Sequence, residues 1–116
     1  MEKIYELEMF GEVHKIILAK TSYRSNNTLA ILMIEVFDDG HEEDWSTLTV
    51  NIDDSNMWAD KNRFAFIDVN NNGNEIIPWL RANNIAVVDG YIGFSGFCAY
   101  PLVCFTSSAL KDMRSL

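Results

Sequence analysis

From Asp68 to Gly73 the chain reads Asp-Val-Asn-Asn-Asn-Gly, the opening half of a calcium-binding loop. Oxygen ligands stand at the first, third and fifth places (Asp68, Asn70, Asn72), with glycine at the sixth, where such a loop turns sharply. The twelfth place calls for a bidentate Glu and holds Trp79, while Glu75 falls at the eighth. Three neutral asparagines add no charge, and charge count sets affinity in these sites. The preceding residues read as a strand, so the helix–loop–helix frame is missing as well. A strand-to-helix connector without metal is expected, in which Asp68 or Asn74 caps backbone N–H groups.

Other residues with chemical potential are scattered. Nucleophilic catalysis would need Ser95, Cys98 or Cys104 beside a histidine that a third group orients. Both histidines, His14 and His41, lie in the N-terminal third. His41 adjoins Glu42, Glu43 and Asp44, a metal-capable set that reads more simply as a solvated hairpin tip. Gly90, Gly93 and Gly96 recur every three residues, which is not the Gly-x-Gly-x-x-Gly spacing of a dinucleotide site. Tyr91, Phe94 and Phe97 between and after them suggest tight turns with the rings packed inward. Cys98 and Cys104 are expected as buried, inert thiols on one face of one strand, too far apart to bond to each other. No enzyme activity and no cofactor are expected.

Charge gives the sharpest functional hint. Residues 1–58 hold twelve acids and four bases, and residues 59–116 hold five of each, so the whole net charge of −8 sits in the first half. The acids concentrate in Asp38, Asp39, Glu42, Glu43 and Asp44, then in Asp53 and Asp54. Such a field repels phosphates and disfavours nucleic acid as a direct partner. It suits a basic protein surface. No apolar run approaches the roughly 20 residues that cross a bilayer, and Met1-Glu-Lys does not open a signal peptide. A cytoplasmic protein is expected.

The elements that must position these residues follow from periodicity. At 116 residues one domain, 1–116, is expected. Ile4–Phe10 alternates with Tyr5, Leu7 and Met9 on one side, as a half-buried strand does. Gly11 interrupts it, and Val13–Lys20 reads as a second strand. A polar turn at 22–28 leads to Leu29–Phe37, apolar on both faces except at Glu35. The acidic segment 38–44 reads as a hairpin loop, and Trp45–Ile52 as the returning strand with Leu48, Val50 and Ile52 inward and Thr47, Thr49 and Asn51 outward. Asp53–Asn62 reads as a loop whose Met57 and Trp58 fold back onto the core. Arg63–Val69 is a further short strand, followed by a helix over about 75–83 that Asn83-Asn84 ends. Residues 86–105 read as irregular turns leading to a last strand, which Pro101 confines to an edge or a bulge. Residues 106–116 are a polar tail, frayed or forming a short helix. The sum is an α+β domain, a mostly antiparallel sheet of about six strands with one main helix.

Three segments, Leu48-Thr-Val-Asn-Ile52, Phe66-Ile-Asp-Val-Asn-Asn71 and Ser95-Gly-Phe-Cys-Ala-Tyr-Pro-Leu102, together resemble an uncharacterised family. It consists of small acidic proteins from conjugative elements, plasmids and phages, known as a domain of unknown function. The resemblance spans roughly residues 28–105, and Ser-Gly-Phe-Cys-x-Tyr-Pro-Leu is its most specific part. It implies a mobile-element setting, in which small acidic proteins disarm host nucleases such as CRISPR effectors or restriction enzymes. An accessory protein of conjugation or phage growth is the alternative. A small-molecule binder or enzyme using Gly90–Pro101 comes third.

Overall fold

The computed structural model describes residues 2–52 and 60–116. Asp53, Asp54, Met57 and Trp58 lie outside the described residues. The first sheet runs in the order β1 (Tyr5–Met9), β2 (Glu12–Ser22), β3 (Leu29–Val36) and β4 (Glu42–Thr47), all antiparallel neighbours. The β1–β2 hairpin turns at Phe10 and Gly11, both at positive φ (+55° and +78°), which matches the right-handed twist of the flanking strands. In the second sheet β5 (Thr49–Val50) pairs β6 (Phe64–Ile67), which pairs β8 (Cys98–Phe105), which pairs β7 (Ala86–Ser95). The chain is mostly antiparallel sheet with few helices, and with nine strands among the described residues it is richer in strand than the six expected.

The chain passes from one sheet to the other at Leu48. Trp45 sits at an irregularity in the β3–β4 register, and after Thr47 the strand breaks. The Leu48 side chain is fully buried, its N–H donates to Ile31 O at 2.9 Å, and its O accepts from Asp68 N at 2.9 Å. Thr49 does not face away as alternation suggested. It is buried, and its Oγ1 accepts the Ile31 N–H at 3.1 Å while meeting Tyr23 Oη at 3.0 Å. A side-chain oxygen here stands in for a ladder carbonyl and satisfies the buried Ile31 N–H at the corner.

One core joins the sheets. It takes Tyr5, Leu7, Ile16, Leu18, Ile31 and Met33 from the first sheet and Ala65, Ile67, Val103 and Phe105 from the second. Ile76 and Leu80 of helix α2 (Ile76–Ala82) complete it, each such side chain contributing about 1.5–3 kcal/mol by leaving water. Trp79 of this helix bridges to β1, with its indole N–H donating to Glu6 O at 2.7 Å and its ring set edge-on to Tyr5. The helix agrees with the expected range, although Glu75 and not Asn74 occupies the N-cap and no side chain caps it. Pro78 lies within the first turn, where its missing N–H costs nothing.

The Asp68–Gly73 connector contains an extra turn, helix α1 (Val69–Asn72). Asp68 caps it, accepting from Asn71 N at 3.2 Å and Asn71 Nδ2 at 2.7 Å. Buried Asn72 donates to Thr47 O and Asp68 O and accepts from Ser46 Oγ at 2.8 Å, which ties α1 to the end of β4. Asp68 and Asn72, which a calcium loop would aim at one ion, instead satisfy neighbouring backbone and side-chain groups.

Residues 86–105 are not irregular turns but a full hairpin, β7–β8, closed by Gly96-Phe97 with Gly96 at φ +60°. Pro101 pairs with Ile92 at the end of a bulge in β7 that begins after Val88 and in which Gly90 takes φ +105°, while β8 itself is interior to the sheet. Gly93 is required by contact. A Cβ there would come within 2.5 Å of the Phe66 ring. The C-terminal tail is also ordered. Thr106 caps helix α3 (Ser107–Asp112), and β9 (Arg114–Ser115) pairs parallel with β2 at Ala19 and Lys20.

Candidate partner-binding surfaces

The acidic run does not form one loop. Only Phe37–His41 makes the turn, with Gly40 N donating to Phe37 O at 2.9 Å and Gly40 at φ +91°. Glu42, Glu43 and Asp44 belong to strand β4, so their side chains alternate between faces. Glu43 stands opposite Glu35 on the core side of the sheet, and Glu42 and Asp44 stand opposite Val36 and Ile34 on the outer side. The outer face holds its own small apolar cluster of Ile17, Ala19 and Ile34. Arg114, the register partner of Ala19, reaches across it from β9. Its guanidinium meets both carboxylate oxygens of Glu42 at 2.8 and 2.7 Å and both of Glu2 at 2.9 Å. These hydrogen bonds hold the Glu42 and Glu2 carboxyls below the usual carboxylate range.

Four further acids meet two histidines. In the turn, Asp39 accepts from the His41 backbone N–H at 3.0 Å and from its ring Nδ1. The other ring nitrogen lies 3.1 Å from Glu43, and the ring stacks on Phe37. Asp39 first, and Glu43 with it, raises the His41 pKa above 6.5; the His41 backbone and ring lower that of Asp39. His14 lies 2.6 Å from Glu35, 3.8 Å from Glu12 and against the Trp45 ring. Both His14 and Glu35 side chains are only 15% exposed. Asp38 meets Lys15 at 3.4 Å. Five acids expected to act as one patch are thus spread over a turn and two faces, and Glu42 is engaged internally. Sequence inspection missed Arg114 because its partners lie 72 and 112 residues away.

The nucleophile candidates sit elsewhere. Ser95 ends β7, and Cys98 and Cys104 lie on β8, half-buried rather than buried. His14 lies on β2 and His41 in the turn before β4, and both meet carboxylates there.

A second surface was not expected at all. Phe94 is 67% exposed and Phe97, at the hairpin tip, is 109% exposed, so these rings point out and not in. Val87, Val88 and Ile92 are about half exposed. Register places Val88, Ile92 and Phe94 on the same face as Val103 and Pro101, the face that α2 covers at its near end. There an open groove of about 450 Å³ runs between Ile77, Pro78 and Arg81 of α2 and Ala86–Val88 of β7. β7 is the outer strand of its sheet, and between residues 86 and 105 the sole charged side chain is Asp89. The absence of charge over that stretch was the signal available in the sequence.

A family described as a domain of unknown function, DUF4313, matches residues 17–115. The chain belongs to this family. Its match extends beyond the three segments that carried the resemblance, taking in the second half of β2 and the C-terminal α3 and β9. Comparisons with curated proteins and with solved structures give no match. Among the described residues no helix is long and apolar enough to cross a membrane.

Proposed function

We propose that the chain is a non-enzymatic binding protein that occupies a basic surface of another protein with the acidic first sheet. The observation that carries this is the placement of charge. Residues 2–52 hold ten acids and four bases, net −6, and both outer strands of the sheet display acids: Glu6 and Glu8 on β1, Glu43 and Asp44 on β4. Among the described residues Glu6, Glu8 and Asp44 have no cation within ion-pair distance, so their field is turned outward. The mobile-element setting implied by the resemblance makes the nucleic-acid channel of a host defence nuclease the partner of choice. A compact anion array can compete there for the Lys and Arg groups that hold guide or target strands.

The test is Asp38→Asn, Asp39→Asn, Glu43→Gln and Asp44→Asn combined, with Glu42 kept because Arg114 holds it. Capture of a partner from host lysate, followed by mass spectrometry, should be lost while the circular dichroism spectrum is kept. Affinity should also fall steeply with salt, since exposed charges are screened beyond about 10 Å at 0.1 M. Capture of the same partner, undiminished, by the fourfold variant would sink the proposal.

A further inference from the structure

We infer that the outer edge of β7 is a homodimer interface, on which a second copy of this chain adds its own β7 antiparallel about a twofold axis. This goes beyond the acidic-surface proposal and uses different residues. Outer strands present unpaired N–H and C=O groups, and soluble proteins shield them with charge, proline or bulges. β4 is shielded by Glu42, Glu43 and Asp44. β7 has one bulge around Gly90, and beyond it Ile92–Ser95 is a regular strand with no charge and with Ile92 and Phe94 exposed on one face. No described strand pairs with its outer side.

Three observations favour a second copy as the occupant. An antiparallel pair of identical strands is its own twofold, so each Phe94 and Phe97 meets the same surface in the partner. The area reaches what a dimer needs at full burial: the exposed parts of Val87, Val88, Ile92, Phe94 and Phe97 come to at most roughly 600 Å² per protomer. A pair would then bury up to roughly 1,200 Å², the lower bound of stable interfaces. Charge decides the approach. Two chains of net −8 repel through their first sheets, whereas the strip along β7 carries Asp89 alone and the groove beside it carries the cation Arg81. The pairing would join two four-stranded sheets into one of eight.

Sedimentation equilibrium of the full chain across a wide concentration range tests this directly. A reversible species of twice the 13.2 kDa chain mass is expected. Ile92→Lys with Phe94→Glu should leave a monomer. Phe97→Ser, at a fully exposed tip that cannot unfold the hairpin by losing packing, should weaken the dimer about tenfold. Glu43→Gln with Asp44→Asn should leave dimerisation intact. Added salt should tighten the dimer by screening the like charges, opposite in sign to its effect on a basic partner. A wild-type monomer at every concentration overturns the inference, as does a dimer that Phe97→Ser and the double variant leave unchanged.

Discussion

The outer strands β4 and β7 meet solvent in opposite ways. β4 carries three consecutive acids whose alternation puts charge on both faces of the first sheet, with one of them gripped by Arg114. β7 carries valine, isoleucine and phenylalanine, one aspartate and a bulge. A charged edge keeps other chains at a distance at little cost to folding, while an apolar edge invites a partner strand. The acidic run therefore has a structural duty before any functional one. Its exposed members Asp38, Asp39, Glu43 and Asp44 remain for recognition, while Glu42 is held by Arg114.

Four measurements break or sharpen that contrast. The largest effect is expected at Gly93, where β7 lies directly on Phe66. Gly93→Val should cost about 3 kcal/mol, read as a lowered urea midpoint, because the buried Phe66 ring leaves no room for a Cβ. A variant as stable as wild type would show that β7 is not locked in this register. Next is Asn72→Ala, which strips Thr47 O and Asp68 O of their shared donor at the corner where β4 ends. A loss of about 2 kcal/mol is expected, and Asn72→Asp should not restore it, since the lost groups are donors.

Removing the charge guard should change behaviour more than stability. Glu43→Thr with Asp44→Val is expected to shift the unfolding free energy by no more than about 0.5 kcal/mol. Light scattering on mild heating should nonetheless rise, because β4 then resembles β7. Unaltered solubility would mean that charge is not what protects this edge.

The smallest effect is at His41. Its proton NMR titration should show a midpoint above 6.5, moving down in Asp39→Asn and, less, in Glu43→Gln. Because the folded-state pKa is raised, the turn gains stability that is fully present below the unfolded value near 6.5 and lost as pH rises through the folded one. Asp39 acts in the opposite sense, since its pKa is lowered. Its contribution is present above the usual 3.8 and lost as pH falls through the folded value.

Several elements were legible beforehand because their signals are local. Tyr5, Leu7 and Met9 alternate over a strand that is half-buried as expected, and α2 occupies nearly its expected range between Asp68–Gly73 and Asn83-Asn84. The connector reading of Asp68–Gly73 holds, with Asp68 as the cap. Thr49 was misplaced because period-2 alternation assumes an unbroken strand, and this one changes sheets at Leu48. The tail forms the short helix that was one of the two expectations for it, whereas β9 was not foreseen because it gains its hydrogen bonds from β2, some 95 residues earlier. Inward packing of Phe94 and Phe97 follows from the general rule that aromatic rings lie inside, and the near absence of charge over residues 86–105 was the sequence signal that pointed the other way.

By itself the sequence determined the strand-rich class, the α2 helix, the capping role of Asp68 in the Asn-rich connector and the confinement of net charge to the first half. These depend on periodicity, turn chemistry and composition, all of which act over a few residues or by simple addition. Tertiary structure decided which acids stand free and which are bound. Arg114 takes Glu2 and Glu42, His41 takes Asp39 and Glu43, and His14 takes Glu12 and Glu35. It also decided which strand is left as an open edge. Both outcomes rest on pairing across tens of residues, where the sheet ladder brings together groups that no local spacing connects.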